Sequence, residues 1–258
     1  MAKLPNDKEL EFLKTCTADE LAPLVGIILG TKDGEIDKSG RFTSELDSTR
    51  NFKQFYPDHT KYVDEMIEEI QKFGGNTIVN FFRGHFGDRA GVPYHEILCD
   101  CADKEKVNFN KFQETEKIEE ALLDRVLRDS WEKLSEEERS SMLEELGVPN
   151  FGGLGASALV QVLKAGGFQT YRIALIVVNA IAKALLGHGL KLAANVYLVR
   201  CIAVLTGPIG WILTSAWAVL DVASPAYRVT IPACIYIAAL RLMKTNEATA
   251  LEAAKHES

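Results

Sequence analysis

Acidic side chains almost vanish from the second half of this chain. Residues 151–243 hold one, Asp221, against seven Lys and Arg, and the twenty residues from Cys201 to Leu220 carry no charge at all. Such a run cannot form a solvated face, so it is either wrapped by its neighbours or placed against lipid. Sustained two-residue alternation is also scarce, which argues against a sheet-based fold and leaves helix starts and stops as the dominant signal. The five cysteines, Cys16, Cys99, Cys101, Cys201 and Cys234, are odd in number and scattered, so they make no disulfide framework and point to a reducing cytosol. Residues 1–15 carry charges where a secretory leader needs an apolar core. There is no P-loop, dinucleotide fingerprint, nucleophile elbow or paired zinc motif, so no enzyme class is legible and no cofactor is expected.

The chain has 258 residues, 47% apolar and 25% charged, which is a folded composition with enough length for two ordinary domains. Its first 150 residues carry 20 Lys and Arg against 32 Asp and Glu, net −12, whereas residues 151–243 are net +6. The acidic half and an overall charge of −7 disfavour nucleic acid, because phosphate binding needs a concentrated basic surface. From Gly147 to Gly210 there are ten glycines. The composition therefore divides the chain into an acidic helical domain, 1–150, with a short N-terminal module 1–30, an apolar glycine-rich helical domain, 151–244, and a polar tail, 245–258, expected to fray.

The fold expected is all-α. A first helix covers about Asp7–Lys14. Thr17 and Glu20 have capping-box spacing and start a second helix over Ala18–Leu29, with Pro23 inside it. A polar loop, 31–42, precedes helices near Ser44–Phe55 and Asp58–Lys72, the latter stopped by Phe73-Gly74-Gly75. Asn76 caps the next, to Phe82. Helices near Pro93–Asp103 and Glu114–Leu134 follow, the second with Ile118, Leu122, Leu123, Val126, Leu127 and Trp131 at helical spacing. Ser135 and Glu138 repeat the capping-box spacing. The last helix covers about Ile231–Lys244 and is apolar nearly all round.

Gly207-Pro208 interrupts the uncharged run, so it reads as a broken hairpin rather than one straight span. Its two helices would each reach only about 15–20 Å, short of a bilayer core. Ile202, Val204, Leu205, Gly207, Pro208, Gly210, Trp211 and Trp217 form this membrane-engaging or buried element. Lys164, Arg172, Lys183, Lys191, Arg200, Arg228 and Arg241 punctuate the neighbouring segments and suit interfacial helices on anionic lipid better than a multi-span protein. A soluble helical core that wraps the hairpin is the alternative.

Three clusters are candidate sites. Asp221, near a helix C-terminus, needs a cationic partner, and a structural clamp of Asp221, Tyr227 and Arg228 is expected, with Arg200 and Arg241 as other partners. Gly74, Gly75 and Asn76 before a helix, with Arg83 nearby, could offer backbone donors to an anion. His95, Cys99 and Cys101 are zinc-ligand types, but on one helix Cys99 and Cys101 face apart, so no metal site is expected and a core role is preferred.

Phe73-Gly74-Gly75-Asn76 with Arg83-Gly84-His85, then Tyr94, Ile97-Leu98 and Asp100, then Gly187-His188-Gly189-Leu190, look like the bacterial YaaW family. Gly207-Pro208-Ile209-Gly210 and Ser224-Pro225-Ala226-Tyr227-Arg228-Val229-Thr230-Ile231-Pro232-Ala233 carry the most specific part of the likeness. Asp7-Lys8-Glu9-Leu10-Glu11-Phe12-Leu13 is similar to the family's N-terminal module. The central region also resembles the helical ubiquinol-cytochrome c chaperone fold. Phe86–Pro93 departs from the pattern by looking longer than the family's link. The resemblance implies no agreed biochemical activity. The reading is a non-enzymatic cytoplasmic protein, peripheral to the inner membrane, whose apolar half engages an anionic membrane surface as a stress or defence effector. The alternative is a soluble assembly chaperone or scaffold for partner helices, with oligomerisation left open.

Overall fold

In the computed structural model the described residues are 7–29, 31–32, 35–36, 44–82, 91–132, 135–137 and 227–256, and the helices numbered α1 to α6 below belong to that set. The architecture is all-α, as the scarcity of alternation implied. The only strands among the described residues are a two-residue antiparallel pair, β1 (Thr31–Lys32) and β2 (Glu35–Ile36), inside the expected polar loop.

The first element is a 3-10 helix, Lys8–Thr15, where an α-helix was expected. Asp7 caps it by accepting from the Glu9 amide at 3.2 Å, and Leu10 and Leu13, one 3-10 turn apart, are both buried. The second helix, α1 (Ala18–Leu29), has the expected limits. Its capping box is formed in both directions: the Thr17 amide donates to Glu20 Oε2 at 2.7 Å and the Glu20 amide to Thr17 Oγ1 at 3.3 Å. Every residue from Leu21 to Leu29 is buried, so α1 is an interior helix.

The segment expected as one helix near Ser44–Phe55 is a 3-10 turn, Leu46–Ser48, followed by α2 (Arg50–Phe55). Thr49 divides them, because its extended backbone ends the turn while its hydroxyl accepts from the Phe52 amide and starts the helix. A further 3-10 turn, His59–Lys61, precedes α3 (Val63–Phe82).

Helix α3 corrects the reading of Gly74-Gly75 as a stop and of Asn76 as a cap: it runs through all three. A Cβ at Gly74 would lie 2.3 Å from Ile97 Cγ1 and 2.8 Å from Val92 Cγ2. Gly74 is therefore small because α4 crosses there, not because the helix ends.

Pro93 precedes α4 (Tyr94–Lys104), which closes on Lys106 at φ 55°. The Val107 amide donates to the Ala102 carbonyl at 2.9 Å, the six-to-one bond of a Schellman end. Helix α5 (Thr115–Glu132) buries Ile118, Leu122, Leu123 and Val126 as their spacing required.

The last helix, α6 (Tyr227–His256), is longer at both ends than expected. It begins before Pro232 and continues through the tail expected to fray. Residues 229–240 are buried on every face, and α6 packs against α1, α3, α4 and α5. The final helix of the apolar half thus lies in one core with the acidic half. The boundary at residue 150 and the hairpin residues 196–222 lie outside the described residues, among which no helix is long and apolar enough to cross a membrane.

Two substitutions test these local causes. Gly74→Ala should destabilise by about 1–3 kcal/mol despite its better helix propensity, with partial recovery when Ile97→Val is added, read by urea unfolding. Lys106→Gly should stabilise by about 1 kcal/mol in the same assay, because it relieves the left-handed backbone of a residue with a Cβ.

Candidate functional site

The most unusual chemistry in the core is an ion pair. Thr115, Glu119, Leu122 and Val126 share one stripe of α5, and all four are buried. Glu119 is therefore a carboxylate at a core position. Its partner is Arg241 of α6, itself one helical turn along from buried Ile237 and Ala238. The guanidinium grips the carboxylate with two bonds, Nε to Oε2 at 2.6 Å and Nη2 to Oε1 at 3.2 Å. The side chains are 3% and 13% exposed, so the pair is largely out of water.

Neighbouring elements complete it. Tyr94, at the start of α4, donates its hydroxyl to Glu119 Oε1 at 2.8 Å. Arg241 Nη2 also donates to the Glu9 carbonyl at 2.6 Å, and the guanidinium carbon lies 4.4 Å from the Phe12 ring centroid. Glu116 adds a second, more exposed carboxylate at 3.8 Å. On the other side of Tyr94, its amide donates to Asp7 Oδ2 at 2.6 Å, and Gln71 Nε2 reaches the same oxygen at 3.2 Å. Parts of the 3-10 helix, α3, α4, α5 and α6 are thereby joined through buried polar groups. Farther along α6, Lys244 pairs with Glu20 Oε1 at 2.9 Å and Tyr236 donates to the Glu20 carbonyl at 2.7 Å, tying α6 to the start of α1.

Burial pushes the Glu119 carboxyl above the ordinary carboxylate range, while Arg241 and the hydrogen bonds from Arg241 and Tyr94 pull it back. Burial also opposes the charge on Arg241, but Glu119 outweighs it and holds the guanidinium above its usual value. The fork geometry is that of two ionised partners. Burial, then the adjacent Glu119, pushes the Tyr94 phenol well up, so it stays a donor. Gln71 Oε1 is buried without a hydrogen-bond partner, but both charges of the Glu119–Arg241 pair are met by neighbours, and the chemistry of this group is to lock helices together.

The candidates read from sequence fall elsewhere. His95 ties down the 105–114 loop: Nε2 lies 2.9 Å from the Lys111 carbonyl and Nδ1 2.9 Å from Thr115 Oγ1. The carbonyl can only accept, which puts the proton on Nε2. Cys101 is buried beside Cys234 of α6, and Cys99 is half-buried with its thiol pushed to about 11 by burial and then by Asp100. Among the described residues no group of three His, Cys, Asp or Glu side chains could hold a metal ion. The anion site at Gly74, Gly75 and Asn76 is a further correction, since α3 has no N-terminus there to supply free amides. Arg83 lies outside the described residues.

Of the expected clamp, Asp221 is outside the described residues and Arg228 is placed only as a first-turn position of α6. Tyr227 is half-buried, with Lys104 Nζ 5.7 Å from its ring centroid. Arg241, one of the partners considered for Asp221, pairs with Glu119. The hairpin positions Ile202, Val204, Leu205, Gly207, Pro208, Gly210, Trp211 and Trp217 also lie outside the described residues. The clamp that is described, Glu119 with Arg241 and Tyr94, left one trace in the sequence: a carboxylate on the apolar stripe of α5 and an arginine on the apolar last helix.

Residues 58–235 match the family model described as ubiquinol-cytochrome C chaperone. A UPF0174 protein of Helicobacter pylori strain J99 is 44% identical over 94% of this chain and 93% of its own length. A second UPF0174 protein, from Helicobacter pylori strain 26695, is 41% identical over 77% of this chain and 96% of its own length. The UPF0174 protein YaaW of Escherichia coli K12 is 32% identical over 92% of this chain and 95% of its own length. No solved structure matches the chain.

Removing one partner of the buried pair should be costly and removing both much less so. Glu119→Ala should destabilise by about 3–5 kcal/mol, because it strands the Arg241 charge, whereas Glu119→Leu with Arg241→Met should recover most of that loss in urea titrations. Asp100, on α4 beside Glu96 and Asp103, has its carboxyl raised to about 6 by burial and then by those two acids. The folded state thus binds this proton more tightly than the unfolded one, and its contribution to stability is lost as pH rises from about 4 through 6. Asp100→Asn should therefore be the more stable form above pH 6, by about 1 kcal/mol once its half-exposure is allowed for, with the gain vanishing near pH 4.

Proposed function

The chain belongs to the UPF0174 (YaaW) family, and from that membership we propose a non-enzymatic, chaperone-type role in which it holds an apolar helical segment of a partner protein before assembly. The observation that carries this reading is the match of residues 58–235 to the ubiquinol-cytochrome C chaperone family. The match starts at the 3-10 turn before α3 and ends inside α6, so it takes in α3, α4, α5 and the first turns of the helix they surround.

The locked core supports the reading in physical terms. A protein that binds apolar segments needs a frame that does not itself come apart, and a buried network with its charges paired supplies one at the cost of some stability. In sequence the uncharged run 201–220 falls between α5 and α6, whose positions are pinned to each other by Glu119 and Arg241. By its composition that run is the apolar element proposed to contact a partner helix.

A second reading keeps the same run as the contact with an anionic inner-membrane surface. It rests on the twenty uncharged residues and the net +6 of residues 151–243.

The deciding experiment is purification of tagged chain from cells, with and without residues 201–220, together with quantification of any stoichiometric partner in cells lacking the protein. A partner that is lost with the deletion and falls several-fold in abundance in those cells is the expected result. Absence of a stoichiometric partner, with cosedimentation of the intact chain on vesicles of anionic lipid, would replace this reading with the second.

A further inference from the structure

One buried titratable group takes no part in the Glu119 network. His59, 6% exposed, sits in the 3-10 turn that packs between α1 and α2. It closes a ring of four aromatic side chains. Its ring lies edge-on to Tyr62 at 5.7 Å and 85° and to Tyr56 at 5.8 Å and 66°. Phe52 of α2 meets those two tyrosines at 5.2 and 5.1 Å. Nδ1 of His59 is hydrogen-bonded to the Tyr62 hydroxyl. Tyr62 is 1% exposed, but Tyr56 is 60% exposed, so water reaches the rim of the cluster.

The segment this cluster anchors covers residues 44–62. Besides Leu46, which is 1% exposed and joins the core, its other ties to the body are polar: the Glu45 amide to Glu69 Oε1 at 2.8 Å, Lys72 to Glu45 at 3.2 Å, and Asn51 to Glu65 at 2.5 Å. The aromatic cluster, with Leu46, is thus the apolar fastening. Beneath it lies α1, whose residues Leu21 to Leu29 are all buried.

We propose that His59 is an acid-operated latch, whose protonation releases residues 44–62 from α1 and uncovers an apolar face of that helix. In the neutral ring the Tyr62 hydroxyl donates to Nδ1. A proton taken from water onto Nδ1 turns the ring into a donor there, so the hydroxyl must become the acceptor and its own hydrogen loses its buried partner. The new charge also lies among rings rather than in water. The charged groups facing the ring are Asp58, on its own turn and 3.9 Å from Lys61, and Asp19, from α1. Both carboxylates favour the cation, but burial is the larger influence and holds the imidazole below its ordinary value. A histidine lowered in this way contributes stability at neutral pH that is lost as pH falls below about 6.5. The latch concerns the chain alone and does not depend on the chaperone reading.

Hydrogen exchange of the full chain at pH 7.5 and 5.0, corrected for intrinsic rates and read by mass spectrometry, tests it. Protection of residues 44–62 and 21–29 should fall about tenfold at the lower pH, while α4 and α5 hold theirs. The double variant His59→Phe with Tyr62→Phe has nothing to titrate and leaves no orphan hydroxyl, and it should stay closed at pH 5.0. Should that variant fold poorly, His59→Gln provides an untitratable acceptor for Tyr62 and carries the same expectation. Unchanged protection in the parent at pH 5.0, loss spread equally over all helices, or the same opening in a folded variant would each overturn the latch.

Discussion

The constraint on which the rest depends is the Glu119–Arg241 pair. Two charges removed from water are tolerable only when each is met by geometry as good as the hydration it gave up. That demand fixes the depth and rotation of α5 and α6 together, because a slip of one residue on either helix would turn a charge into the apolar core. Tyr94 and the Glu9 carbonyl satisfy what the pair leaves over, so the start of α4 and the 3-10 helix are drawn into the same register. Apolar contacts bring these helices together, while the pair selects one arrangement from the several that Leu, Ile and Ala faces would tolerate.

Placing α6 at the centre also changes the meaning of the contrast in charge along the chain. The acidic residues surround a helix supplied by the apolar half, and α6 carries the cations, Arg241 and Lys244, that answer Glu119 and Glu20. Long-range charge asymmetry is here partly an internal complementarity between two parts of one core. Within that core α4, α5 and α6 are locked to one another through Tyr94, Glu119 and Arg241.

Much of the local structure was legible because it has local causes. The Thr17–Glu20 capping box and the apolar stripe of α5 act over three or four residues; the box is formed, and Ile118, Leu122, Leu123 and Val126 of the stripe are buried. Gly74 was misread for the opposite reason. A glycine pair is a stop signal on its own, yet here its smallness answers Ile97 and Val92, more than fifteen residues away in sequence. The tail after Thr245 was likewise read as frayed, although the helix it extends is held through Arg241 and Lys244. His95, Cys99 and Cys101 suggested ligands by type, but His95 is occupied by a loop that sequence spacing does not bring to it.

The amino-acid sequence by itself determined the all-α class, the Thr17–Glu20 capping box, the family, and the presence of an uncharged run too broken by Gly207 and Pro208 to read as one straight span. These follow from periodicity, composition and neighbouring residues. The tertiary structure alone decided which charges go inside and whom they meet. Glu119, Arg241, Tyr94 and Asp7 come from four distant places in the chain, and each is an ordinary residue until a shared dry volume makes its partner obligatory.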